Sequence, residues 1–442
     1  MAVAPHGGRR RFSGPRSKGK VGQNMPQAYI VALSVMSYAV LIFALIKWKR
    51  WIRLIVWPEH PTVRLVWLMW LGFLVIIAPI SYHQSDMMNW VGAIQSQLNG
   101  AVLPGGHAYL PVYAQIHAAL LLPFYLVGLD KFTIEVYLIH FIIIAAYAFA
   151  SGLMVALAPR DKQLAPLVTI LAPTSIFFIF FGTNHIVMWA LLAAALYLLM
   201  EEHYFWAGFA AFAGGYKFLL LPTSITLLIF VFIRKGKEKA LRFLSGAMVF
   251  FVLNVPYYLF DFERALFTFR EKANTGSYMY HLDGFHIFHF IETQSQAFQT
   301  WYMGKDIWFY AVGAVCLVTI ALYSRRKVNT LQGLALTYAA VVLFAPEPFR
   351  MEPLFGLLWL DGIAREDRGS QAATVLIALV YGAFWYQQAY PPILTLAPYS
   401  GIILNAPARG LFIGASVIVA LIISLARKRP GEFMLLEGND HG

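Results

Sequence analysis

Long runs of uncharged, apolar residues recur along this chain, and they limit its fold more than any other feature. Hydrophobic residues account for 59% of the 442 positions and charged residues for only 13%. A helix of about 20 apolar residues spans the hydrocarbon core of a bilayer, where its backbone groups can be satisfied only within the helix itself. We therefore predict an all-α, polytopic transmembrane helical bundle with about 12–13 spans.

Short polar links separate the predicted spans. The segments long enough to span, or nearly so, are Ala28–Ile46, Arg64–Ser81, Thr133–Leu157, Leu164–Phe181, Ile186–Met200, Tyr204–Gly215, Phe218–Ile233, Leu241–Phe260, Ile307–Tyr323, Leu331–Ala345, Pro353–Ile363, Gln371–Trp385 and Gly410–Ala426. A further segment, Pro111–Leu129, either spans or lies at the surface, because His117 and Pro123 interrupt it.

The basic residues are distributed as in a membrane protein. The excess of 34 basic over 22 acidic residues would indicate nucleic acid in a soluble chain, but here the cations occupy short links between apolar runs, so no nucleic-acid partner is expected. If Pro111–Leu129 does not cross, 20 of the 28 cations after residue 27 fall on one side and 8 on the other. The basic side is then the cytoplasm. The basic tail of residues 1–27 then falls on the non-cytoplasmic side, against the rule that basic residues face the cytoplasm. Either the first segment does not cross simply or the tail is an exception to this rule.

These patterns divide the chain into four parts. Residues 1–27 form a Gly/Ser/Pro-rich basic tail that we expect to be disordered, and no cleaved signal peptide is predicted. Residues 28–260 form an N-terminal transmembrane module with a first outer loop at 82–132. An outer loop follows at 261–306, and 307–442 holds the C-terminal transmembrane helices. One cysteine, Cys316, excludes a disulfide framework.

The first outer loop begins "SYHQSDMMNW" and places Asp86 directly after a predicted span. Trp90 begins an apolar helical face, which predicts membrane-parallel helices in this loop. The Asp86 carboxylate could deprotonate an acceptor hydroxyl. It could equally cap the helix that begins at Met87, since Asp is a favoured N-cap residue.

Further polar residues are predicted to meet the same outer face. Asn184 and His185 lie in "GTNH", and Lys217 follows two glycines in "GGYK". A lysine at the end of an apolar span needs a partner or water for its charge. Lys217 could bind a phosphate, or its side chain could extend to the membrane interface.

Two later stretches add candidate residues. Arg350 in "APEPFRMEP" suits a phosphate because its planar fork bonds bidentately, although a pair with Glu347 or Glu352 is an equal alternative. His281 begins a His- and aromatic-rich stretch, "HLDGFHIFHF", that could hold a metal but is more typical of an interfacial loop.

Three stretches of this chain resemble the type-C (GT-C) membrane glycosyltransferases. They are the outer loop ending "HAYLPVYAQIHAALLLPFY", the paired-helix segment "GTNHIVMWALLAAALYLLMEEHYFWAGFAAFAGGYKFLLLP" and the long later outer loop. The resemblance implies inverting transfer of a sugar, mannose or a similar hexose or pentose, from a polyprenyl-phosphate carrier to a lipid-linked or glycan acceptor. The reaction would take place on the extracytoplasmic face, with the plasma membrane as the expected location. Asp86 corresponds to the catalytic base and Lys217 to a donor-phosphate contact. The substrate-binding candidates are Lys217, Arg350, His185, Asn184, His83, Trp90, Tyr109 and His281.

Two other classes fit a chain of this kind. A transporter or flippase of lipid-linked sugars would be expected to show charges at mid-span and symmetry between its halves. A polymerase- or ligase-type glycan enzyme would rely on Arg264, Arg270 and His281, with Asp86 dispensable. No cofactor is expected for the transferase, and a divalent metal is not favoured because an Asp-x-Asp pair is absent from its loop.

Overall fold

A computed structural model describes residues 60–77, 121–130, 133–157, 185–217, 220–260, 307–344, 352–364 and 406–426, with short pieces at 295, 297–298, 301, 367–369, 371–372 and 374. The elements are α1 Pro61–Ile77, a π-helix Ile134–Ile139 that continues into α2 His140–Leu157, α3 His185–Met200, α4 Tyr204–Ala213, a 3-10 helix Gly214–Lys217, α5 Leu221–Phe260, α6 Ile307–Ser324, α7 Thr330–Phe344, α8 Glu352–Ala364 and α9 Ala406–Ala426. These described residues are overwhelmingly helical and include no strand, which confirms the all-α prediction for this part of the chain.

Helix α3 is the centre of the described bundle. Its sequence is rich in Ala and Leu, which are strong helix formers, and it has no polar face. It packs against α2, α4, α8 and the 3-10 helix. Small residues such as Ala193 and Ala195 are fully buried and let these neighbours approach closely. Helix α6 is as apolar, but only 17% of its residues are buried, so it lies at the periphery.

A tight turn joins α3 to α4. The His203 N–H donates to the Leu198 carbonyl at 2.7 Å and the Glu202 N–H to the Leu199 carbonyl at 3.1 Å. This is the Schellman pattern, in which the residue after the helix adopts a left-handed conformation. Glu202 occupies that position with φ 57°, where glycine would be less strained. The turn reverses the chain, so α4 runs antiparallel to α3.

Helix α5 is broken at Gly236, which has φ 81° and ψ 178°. The first half runs antiparallel to α4, with the Ser224 hydroxyl bonded to the Ala211 carbonyl. The second half returns beside α4, where the Phe212 and Phe251 rings lie 5.6 Å apart. The two segments that the sequence predicts here are therefore separate helices that meet at a glycine turn.

Replacing Gly236 by alanine will lower stability by about 1–3 kcal/mol, because its backbone region is accessible almost only to glycine. Gly313 in α6 is the matched control, since neither glycine has an atom within 4 Å of an added Cβ and Gly313 has no positive φ. Gly313→Ala should be neutral or mildly stabilising in a helix interior. Thermal unfolding of the two variants compares them, and equal midpoints would contradict the strain at Gly236.

A buried polar network ties α7, α8 and α9 together. The Asn329 amide donates to Asp361 Oδ1 at 2.6 Å, and the Ser424 hydroxyl donates to Asp361 Oδ2 at 3.1 Å. The Gln332 amide donates to the Ser424 carbonyl at 3.0 Å. Asn329 and Gln332 also cap the start of α7 reciprocally, as in a capping box. These bonds fix the start of α7 and the final turns of α8 and α9 at one end of the bundle.

Candidate functional site

Most of the described cations gather at one end of the bundle. We call this the basic end and define it by Arg234, Lys235, Lys237, Lys239, Arg242, Arg325, Arg326 and Lys327. The Glu202 carboxylate lies 4.0 Å from Lys235 Nζ and 3.8 Å from Lys239 Nζ, so the α3–α4 turn belongs to this end. Lys239 Nζ also lies 5.3 Å from the centre of the Tyr204 ring.

The α6–α7 turn belongs to the basic end as well. The Arg234 guanidinium donates to the Tyr323 carbonyl at 3.3 Å and lies 4.7 Å above the Tyr323 ring. The Tyr323 and Thr330 hydroxyls are 3.2 Å apart, and the network of Asn329 and Asp361 follows directly. The α3–α4 turn, the Gly236 turn and the α6–α7 turn are thus linked in series by specific contacts.

Helix direction places two predicted site residues at the other end. Because α3 finishes at the basic end, His185 begins it at the opposite end. Helix α4 returns to that end and leads into the 3-10 helix, whose last residue is Lys217. An added Cβ on Gly214 would lie 3.4 Å from Leu191 Cβ and 3.5 Å from the Met188 carbonyl oxygen, so this 3-10 helix packs on the first turns of α3.

The two glycines before Tyr216 make room for this packing. An added Cβ on Gly215 would lie 2.7 Å from a Leu221 methyl group at the start of α5, and one on Gly214 would lie 3.3 Å from a Leu220 methyl group. The Gly-Gly pair therefore lets the 3-10 helix fit between α3 and α5. The result is that the backbones of His185 and Lys217 stand at one end, which we call the Lys217 end.

The structure describes two of the predicted site residues, and the others lie outside the described ranges. It describes the backbone of His185 and Lys217 and brings these two residues to the same end of the bundle. Helix α8 begins at Glu352 at that end too, because its Asp361 lies at the basic end. Outside the described residues lie Asp86, Asn184, His83, Trp90, Tyr109, Arg350 and His281.

Two buried donors close to the Lys217 end were not predicted from the sequence. Trp189 is one turn beyond His185, and Thr223 stands in the first turn of α5. The Trp189 Nε1 and the Thr223 hydroxyl are buried, and neither has a hydrogen-bond partner within the described part of the chain. A buried donor without a partner is costly, so a residue outside the described ranges, a water or a ligand with acceptor oxygens would each stabilise these two groups. The sequence signal was weak, because both residues sit inside runs that look uniformly apolar.

No group of three or more His, Cys, Asp or Glu side chains among the described residues is arranged to hold a metal ion. The His-rich stretch that the sequence offers as an alternative metal site begins at His281 and lies outside the described residues. The Lys217 end holds the backbones of a lysine and a histidine, with the buried donors of Trp189 and Thr223 close by, and these residue types suit an oxygen-rich anion.

Within the described helices, α6 is the one that is both long and apolar enough to cross a membrane. It has 18 residues, and shorter apolar helices include Ile186–Met200 and Thr330–Phe344. No protein-family model matches this chain, and no curated protein matches it either. The residues and their geometry therefore carry the functional argument.

Proposed function

We propose that this chain is a multi-pass membrane glycosyltransferase that moves a sugar from a polyprenyl-phosphate carrier to a lipid-linked or glycan acceptor at the Lys217 end. One observation carries the proposal: the start of α3 and the 3-10 helix that ends at Lys217 pack together at the end opposite the basic residues. The resemblance to GT-C enzymes supplies the roles of the individual residues.

The exposed surface supports a membrane location. Large apolar side chains are exposed on several helices, among them Met69, Ile76, Phe232, Val252, Leu317 and Ile422. Apolar surface on this scale would drive aggregation in water, whereas a bilayer solvates it. The clustering of cations at one end agrees with the charge asymmetry of a protein whose basic end faces the cytoplasm.

Cysteine labelling in sealed vesicles tests this placement. In a Cys316→Ala background, we expect cysteines at Glu202 and Lys327 to react with an impermeant maleimide from one side of the membrane. Cysteines at Lys217 and Glu352 should react only from the other side. Detergent should make all four sites reactive, which controls for burial. Labelling of all four from the same side would contradict a crossing bundle.

The proposed reaction is a single displacement at the anomeric carbon. The acceptor hydroxyl oxygen forms a bond to that carbon while the bond from the carbon to the carrier phosphate oxygen breaks, which inverts the configuration. Asp86 accepts the hydroxyl proton, and the departing phosphate keeps the bonding electron pair. Lys217 and Arg350 stabilise its charge, while Trp189 and Thr223 add donors for phosphate or sugar oxygens.

Replacing Lys217 by methionine should lower kcat/KM for the polyprenyl-phosphate sugar by at least about tenfold, because a charge-assisted hydrogen bond contributes about 1.5–3 kcal/mol. Lys239→Met is the control, since it removes the same charge at the basic end. The control should leave kcat/KM unchanged. Steady-state transfer assays on both variants provide the comparison, and equal losses would place the donor phosphate elsewhere.

A further inference from the structure

The cations of the basic end fall into two groups. Four of them have partners. Lys235 and Lys239 pair with Glu202, and the Arg242 guanidinium lies 2.6 Å from a Glu238 carboxylate oxygen. Arg234 donates a hydrogen bond to the Tyr323 carbonyl. The others are Lys237, Arg325, Arg326 and Lys327. These four side chains are exposed, and no carboxylate in the described structure lies within ion-pair distance of them.

Lys237, Arg325, Arg326 and Lys327 lie on two adjoining turns. Arg234 contacts Tyr323 directly, and Tyr323 stacks on Phe230 with ring centres 3.7 Å apart. Lys237 follows Arg234 by three residues, and Arg325 follows Tyr323 by two. Like charges crowded together repel one another, and an anion bound between the two turns would remove that repulsion.

The backbone at Arg326 is left-handed and ends helix α6. Arg326 has φ 56°, and the N–H groups of Arg326 and Lys327 complete a Schellman turn on the Tyr323 and Leu322 carbonyls. A left-handed residue is usual at this position of a Schellman turn, and a non-glycine residue there costs free energy that glycine would avoid. At the other left-handed non-glycine residue of the described chain, Glu202, the side chain does have partners, namely Lys235 and Lys239.

An exposed apolar surface adjoins these cations. On α6, Leu317 is 70% exposed and Val318 58% exposed. They precede Arg325 by about two helical turns, or roughly 11 Å. Phe232, which is 55% exposed, lies just before Arg234 on α5. A ligand that carries both an anionic group and long apolar chains matches this combination, and a free phosphate does not.

We propose that Lys237, Arg325, Arg326 and Lys327 bind the phosphodiester headgroup of an anionic phospholipid from the leaflet at the basic end, with its acyl chains along α6. The proposal rests on the membrane placement given above. It is separate from sugar transfer, because the site lies at the end opposite Lys217. Cationic side chains near a membrane surface each strengthen the attraction to anionic lipids.

The test uses the full-length protein in phosphatidylcholine nanodiscs to which phosphatidylglycerol is added, and native mass spectrometry measures bound lipid. Arg326→Gly should weaken phosphatidylglycerol binding about fivefold. The same change should raise the thermal unfolding midpoint in detergent, because glycine relieves the left-handed strain. Arg242→Gln removes an equal charge that is already paired with Glu238, and it should leave lipid binding unchanged.

Several outcomes would overturn the proposal. One is equal retention of phosphatidylglycerol and phosphatidylcholine by the unmodified protein. Another is an equal loss of binding in Arg326→Gly and Arg242→Gln, which would indicate general charge attraction only. Displacement by soluble glycerol phosphate would show a site for a free anion instead. If sugar transfer fails while lipid binding and sided labelling succeed, the transferase proposal fails and the lipid site stands.

Discussion

Replacing Asp86 by asparagine will reduce sugar transfer by about two to four orders of magnitude, because the amide cannot accept the proton of the acceptor hydroxyl. Donor binding should persist, since shape and hydrogen-bonding capacity are nearly conserved. Asparagine is as good an N-cap residue as aspartate. The substitution therefore separates the two roles that the sequence allows for Asp86, because a helix cap survives it and a catalytic base does not.

The matched control for Asp86→Asn is Asp130→Asn, in the same predicted outer loop. Asp130 caps the start of the following helix, where its carboxylate accepts hydrogen bonds from the Thr133 N–H and the Thr133 hydroxyl. An asparagine keeps an acceptor oxygen there, so transfer should be unchanged. The measurement is initial transfer rate with donor binding determined separately on each variant. Normal transfer by Asp86→Asn would leave the carboxylate as a helix cap and favour a different base.

Replacing Gly246 by leucine will strongly disrupt the packing of α4 against α5. An added Cβ on Gly246 would lie 1.8 Å from the Phe205 carbonyl oxygen, and one on Gly208 would lie 1.9 Å from the Phe243 carbonyl oxygen. The backbones of α4 and α5 thus touch at two reciprocal glycines, the close approach that small residues permit between helices. Because the obstacle is backbone, we expect a loss of about 3 kcal/mol or more.

Gly246→Ala gives a graded version of this test if the leucine variant does not fold. Its control is Gly72→Ala in α1, where an added Cβ meets nothing within 4 Å. Thermal unfolding in detergent, followed by fluorescence or size-exclusion chromatography, compares the two. A Gly246→Ala midpoint equal to that of Gly72→Ala would mean that α4 and α5 are not in backbone contact.

The positions of the helices could largely be predicted from the sequence. The predicted segments Ile186–Met200, Ile307–Tyr323 and Leu331–Ala345 agree with α3, α6 and α7 to within one residue at each end. These segments could be recognised because each apolar run ends abruptly at a polar link. The polar link determines where the helix ends. Helix packing was not predictable in the same way. Helices α3 and α6 are similarly apolar, yet α3 is central and α6 peripheral, because burial depends on which other helices are available.

Interactions between distant residues explain what the sequence did not reveal. Asp361 lies within a predicted apolar span, and its partners Asn329 and Ser424 are 32 and 63 residues away along the chain. No local pattern joins such residues. At the candidate site, the placement of the His185 and Lys217 backbones at one end could be predicted from short polar turns that alternate with helices, which is local information. The buried donors of Trp189 and Thr223, which have no partner among the described residues, depend on tertiary packing and needed the structure.

The most direct measurement follows a synthetic polyprenyl-phosphate sugar that is supplied as the sole donor. The purified protein is reconstituted in liposomes, and a lipid and glycan extract provides the acceptor. We predict that labelled sugar appears in the acceptor fraction together with an equal amount of free polyprenyl phosphate. The contradictory result is that the intact sugar carrier moves across the bilayer while the amount of free polyprenyl phosphate stays at the level found in protein-free vesicles. That result would indicate a flippase instead of a transferase.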